Sequence, residues 1–94
     1  MSFAELIAGS EAMIDGLALD VPETWHQGRT AYGGFSAAVA LQAALRVAAD
    51  VPLPPLRSAV VSFVGPAYGG IECRARLLRR GKNATWIGAE ITRD

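Results

Sequence analysis

Apolar positions along the chain follow two rhythms, and the longest run obeys the helical one. From the Gly33-Gly34 pair through Phe35, Val39, Leu41, Leu45 and Val47, alanine recurs and no proline intervenes, which predicts a helix of about four turns that ends near Asp50 ahead of Pro52. At about 100° per residue, Ser36, Gln42, Arg46 and Asp50 share one narrow stripe while Ala, Val, Leu and Phe fill the rest of the circumference. Such a helix is mostly buried, and the alanines at 37, 38, 40, 43, 44, 48 and 49 let a sheet approach closely.

Elsewhere the period is two. Ile71, Cys73, Ala75 and Leu77 alternate with Glu72, Arg74 and Arg76, as a half-buried strand requires. A hairpin loop at Arg79-Arg80-Gly81-Lys82-Asn83 leads into a returning strand, Thr85 to Thr92, with Thr85, Ile87, Ala89 and Ile91 on one face. Arg57 to Val64 is a β-rich run stopped by Gly65-Pro66, and Tyr68-Gly69-Gly70 is a turn. Before the helix, Gly16 to Val21 alternates weakly and predicts a first strand that bends at Pro22 and resumes toward Trp25. Ser2 and Glu5 have capping-box spacing for a short opening helix to about Ala8, closed by Gly9 and Ser10. His26 to Ala31 is a polar loop, and Val51-Pro52-Leu53-Pro54-Pro55 is a stiff extended link. The order is strand, long helix, then three antiparallel strands.

Ninety-four residues make one small domain, 51% apolar with zero formal net charge, so bulk charge gives no reason to expect nucleic-acid binding. The charge is unevenly spread: Arg74, Arg76, Arg79, Arg80 and Lys82 make the second half cationic. That patch suits an anionic ligand, although solvated strand faces and a turn are the preferred reading because charged side chains usually lie at the surface. Cys73 is the single cysteine, which excludes an internal disulfide and fits a reducing, cytoplasmic setting. No stretch is apolar for long enough to span a bilayer, so no membrane partner is expected.

The glycine pair carries the candidate chemistry. A helix tip without side chains exposes free backbone N–H groups and the positive end of the dipole, which hold an anion or polarise a carbonyl. The alternative is that Gly33 and Gly34 only permit tight helix-to-sheet contact. His26 has no Cys or His companion at metal spacing and reads as a hydrogen-bonding spacer. Trp25 and Trp86 read as core residues before they read as walls of a ligand tunnel. Ser36 lacks the glycine pattern of a nucleophile elbow.

A one-faced sheet and an apolar helix satisfy each other if the sheet curls around the helix, the α+β arrangement of the hot-dog fold. The stretch Trp25 to Ala38 with Tyr32-Gly33-Gly34-Phe35, together with Leu56 to Pro66, resembles the N-terminal hot-dog repeat of thioesterase-like proteins related to acyl-CoA thioesterase II. The resemblance implies hydrolysis of acyl-CoA to free acid and coenzyme A with no metal and no cofactor. It also implies that the Gly34 amide polarises the carbonyl as catalytic group, with Tyr32, Gly33 and Phe35 as substrate-binding residues. The acid that single-repeat relatives place two turns into the helix is absent, since Leu41 and Gln42 stand there. In two-repeat relatives the water-binding Asp, Ser or Thr, and Gln belong to the second repeat. The expectation is therefore one hot-dog domain over residues 1–94, short of its final strand, the N-terminal half of a double hot-dog or a truncated repeat. It would self-associate or pair with a second repeat. A non-catalytic module that binds acyl thioesters, or only completes a larger assembly, is the alternative; a hydratase is disfavoured because no Asp and His pair has suitable spacing.

Overall fold

The structure is a computed structural model that describes residues 2–28, 30–31, 33–48, 56–63 and 65–93. Tyr32, the end of the expected helix with its proline link (49–55), and Val64 lie outside the described residues. The elements in chain order are α1 (Phe3–Ala8), β1 (Glu11–Met13), β2 (Gly16–Val21), a 3-10 turn (Glu23–Trp25), β3 (His26–Gln27), β4 (Thr30–Ala31), α2 (Gly33–Val47), β5 (Gly69–Arg80) and β6 (Thr85–Arg93). Four strands form one antiparallel sheet in the order β1-β2-β5-β6, and β3 with β4 makes a separate small hairpin.

The expected capping box closes α1. The Glu5 N–H donates to the Ser2 hydroxyl at 3.2 Å, and the Ser2 N–H donates to the Glu5 carboxylate at 3.1 Å. These bonds satisfy two amide groups that the first turn leaves orphaned and hold the Glu5 carboxyl below its usual pKa.

Alternation decides what faces inward on the sheet. Leu17, Leu19 and Val21 of β2 are buried, in register with Cys73, Ile71 and Gly69 of β5. Gly16 is needed at the head of β2 because a Cβ there would land on the Cys73 backbone carbonyl. On the other layer, Phe35, Val39 and Ala43, four residues apart, form the buried stripe of α2 and meet Ile71, Cys73 and Ala75 in one core. Each fully buried side chain of the size of Leu17 or Phe35 contributes about 1.5–3 kcal/mol of transfer free energy. Burial pushes the Cys73 thiol up to about 11, as befits a small hydrophobe in a dry layer.

Several expectations are corrected. The run 57–63 is not a strand: it lies along the surface without regular pairing, with Val60 96% exposed. β-propensity reflects fit to a neighbouring pleated surface, and none of the described strands offers this run one. Among the described residues the helix is therefore followed by two sheet strands, and the strand that sequence reading missed, β1, lies before it. The segment after Pro22 is a 3-10 turn and not a resumed strand. Residues 26–31 form a two-stranded hairpin turned at Gly28, whose φ of 74° favours glycine. Among the described residues helix α2 is less enclosed than expected, with Leu41 and Leu45 36% and 43% exposed. A sheet of four strands reaches one face of a helix, whichever residues line the other. Trp86, expected in the core, is 59% exposed. Leu77, expected on the inner face, is still in register with Ile87 but is 42% exposed, and the β5–β6 register shifts just beyond it, between Leu77 and Arg79. Four antiparallel strands packed against one main helix are the α+β arrangement of the hot-dog fold.

Candidate active site at the tip of the long helix

The amino end of α2 opens onto a crevice of about 520 Å³ lined by Gln27, Thr30, Ala31, Gly33, Ser36, Phe63, Gly65, Pro66 and Ala67. Three segments build it: the β3–β4 hairpin, the first turn of α2 and the stretch that precedes β5. One hydroxyl joins two of them. The Ala67 N–H donates to Thr30 Oγ1 at 2.7 Å, and the Thr30 hydroxyl lies 3.2 Å from the Ala67 carbonyl, which also accepts from the Ala31 N–H at 2.6 Å. These contacts fix the Gly65-Pro66-Ala67 wall against the hairpin.

The helix tip itself is anchored from below. Phe35 is 1% exposed, and its ring meets Phe3 at 5.8 Å edge-on and Trp25 at 5.4 Å between centroids. The alternation of the first turn then decides what faces the crevice. Gly33 lines it, Gly34 is exposed, Ser36 lines it, and Phe35 points into the core and is not among the lining residues. Of the residues singled out in the sequence, Gly33 and Ser36 are thus brought together at the mouth. Tyr32 lies outside the described residues. Phe63 rests on Gly33, with one ring carbon 3.0 Å from where a Cβ would stand.

The chemistry available is electrostatic. First-turn amides of α2 have no intrahelical acceptor, and they lie at the positive end of a 15-residue helix. No Asp or Glu lines the crevice, so no carboxylate on its described walls opposes an oxyanion or activates a water. The Ser36 hydroxyl makes no hydrogen bond to a described residue, and no base addresses it. His26 pairs with Ala31 across the hairpin, and its Nε2 is buried without a hydrogen-bond partner among the described residues. The Arg79, Arg80 and Lys82 hairpin is exposed. A second hollow, about 580 Å³, lies beside the carboxyl end of α1 with Glu11, Asp20 and Glu72 on its walls. Three carboxylates against the single cation Arg93 leave this hollow net negative, which disfavours developing negative charge there.

Sequence reasoning missed Gln27, Thr30, Phe63 and Ala67 as parts of the crevice. The one available signal was the Gly65-Pro66 stop, which turns the chain back toward the helix tip.

The chain matches the family of the acyl-CoA thioesterase N-terminal domain over residues 21–94, and it belongs to that family. Comparisons with curated proteins and with solved structures give no match. No helix among the described residues is long and apolar enough to cross a membrane.

Proposed function

We propose that this domain supplies the carbonyl-polarising side of an acyl-CoA thioesterase site. The observation that carries the reading is the crevice at the tip of α2, which Gly33 lines and beside which Gly34 is exposed, with no side chain of its own at either position. A thioester lying there places its carbonyl oxygen against the Gly34 N–H. Water adds to the carbonyl carbon, and the negative charge that gathers on oxygen is stabilised by a donor already in place. The tetrahedral intermediate then expels coenzyme A thiolate, which takes up a proton, and leaves the free acid. Gly33 admits the thioester, Tyr32 borders the same tip in sequence, and Phe35 acts as the anchor that holds the tip still. No metal or cofactor enters the scheme.

The water-activating group comes from outside these walls. Self-association, or pairing with a second hot-dog repeat, provides it in a cytoplasmic setting that keeps Cys73 reduced. A non-catalytic reading is favoured by one observation, the absence of a carboxylate in the crevice; in that reading the domain binds acyl thioesters or completes an assembly. Thiol release from a series of acyl-CoA substrates separates the two, measured for the chain alone and for the chain fused to a second hot-dog repeat. Activity in either form supports the enzyme, and thioester binding without thiol release in both leaves the binding module.

A further inference from the structure

We propose that Phe63 sets which acyl chains the crevice accepts, its ring serving as the apolar bed along which the chain lies beyond its first carbons. This rests on the thioesterase reading of the crevice. Phe63 is 65% exposed, an unfavourable position for a large apolar ring unless something covers it. The ring is not adrift: three of its carbons lie 3.0, 3.4 and 3.7 Å from the Cβ position of Gly33, so its edge is seated on bare helix-tip backbone.

The rest of the lining makes the role specific. Gln27, Thr30 and Ser36 are polar, and the remaining apolar contributors, Ala31, Pro66 and Ala67, are small. Phe63 is therefore the only large apolar side chain on the described walls. A thioester has a polar carbonyl and an apolar chain, and with the carbonyl at the helix tip the chain finds its apolar surface on Phe63, which is seated on Gly33. Gly33 is part of the device, because a methyl group there would displace the ring by a few tenths of an ångström.

Ethyl, hexyl and decyl thioethers of coenzyme A, which lack the carbonyl and cannot be hydrolysed, provide the probes, with affinity measured by calorimetry on the full chain. Wild-type affinity should rise from ethyl to decyl. Phe63→Ala should weaken decyl binding about tenfold and ethyl binding by no more than about twofold, and Phe63→Leu should restore most of the loss. Gly33→Ala, which leaves Phe63 in place but shifts it, should alter the same chain-length profile. Thermal melts should be unchanged for Phe63→Ala, as its exposure demands. A rise from ethyl to decyl that survives intact in Phe63→Ala and Gly33→Ala overturns the role of Phe63 while leaving the crevice reading in place. Failure of the wild type to bind any of the three thioethers overturns both.

Discussion

Replacing Phe35 with alanine tests whether the helix tip is anchored in the way its burial implies. The side chain is 1% exposed and contacts two aromatic rings, Phe3 and Trp25. Phe→Ala in a closed core costs about 3–5 kcal/mol, the lost transfer free energy plus the residual cavity. The two aromatic contacts place this site toward the upper part of that range, since such pairs are worth roughly 0.5–1.5 kcal/mol beyond area burial. For a chain of 94 residues, stability of about 0.05–0.15 kcal/mol per residue gives roughly 5–14 kcal/mol in total. The substitution therefore removes about a fifth of it at the smallest comparison and all of it at the largest. Urea denaturation followed by tryptophan fluorescence reports the change, with Trp25 beside the deleted ring. Phe35→Leu should recover more than half of the loss. A loss below about 1 kcal/mol in Phe35→Ala would refute the reasoning, because a site that collapses or admits water at so little cost is no closed anchor.

Thr30→Val keeps the shape of the side chain and removes the hydroxyl that accepts from the Ala67 N–H; a loss of about 1–3 kcal/mol is expected by denaturant melt, together with faster amide exchange at Ala67. Ser2→Ala should cost about 0.5–2 kcal/mol through loss of the cap and should return the Glu5 carboxyl toward its ordinary pKa, read by NMR titration. In the wild type that carboxyl is depressed on folding, so its contribution is present at neutral pH and fades as pH falls through the folded value. The Cys73 thiol behaves oppositely. With its folded value near 11 and the ordinary value at 9.0, the unfolded chain gives up this proton first, so stability should decline as pH rises through that interval, and the decline should vanish in Cys73→Ala. The native thiol should also resist alkylation until the chain unfolds.

Much of this architecture was legible because local chemistry and burial agree. Ser2 and Glu5 cap a helix by their spacing alone, and the alternation from Ile71 to Ala75 and from Ile87 to Ile91 states which face of the hairpin meets α2. What escaped depends on neighbours. Residues 57–63 have the side chains of a strand but no strand edge beside them in the described fold, and no local pattern reports a missing partner. Leu41 and Leu45 look like core residues by periodicity, yet coverage of a helix is set by the reach of the sheet. The candidate site divides in the same way. Gly33 and Gly34 announce a helix tip bare of side chains of its own, whereas Phe63 reaches the crevice, and Ala67 meets Thr30 across 37 residues, only through folding. Phe35 shows the limit of adjacency: it follows the glycine pair in sequence but faces the core, since neighbouring positions on a helix point about 100° apart.

The central claim is that the Gly34 amide donates to the carbonyl of a bound acyl thioester. Isotope-edited infrared spectroscopy tests it most directly, using acyl-CoA with a carbon-13 carbonyl bound to the wild type, to Gly34→Ala and to Gly34→Pro. Proline removes the N–H at a first-turn position, where no intrahelical bond depends on it, while alanine retains it. The carbonyl band should move to lower frequency on binding to the wild type and Gly34→Ala, relative to a thioester held in an apolar solvent, and that shift should disappear in Gly34→Pro with the helix intact by circular dichroism. An unshifted band in the wild type, or the same shift in all three proteins, would contradict the account.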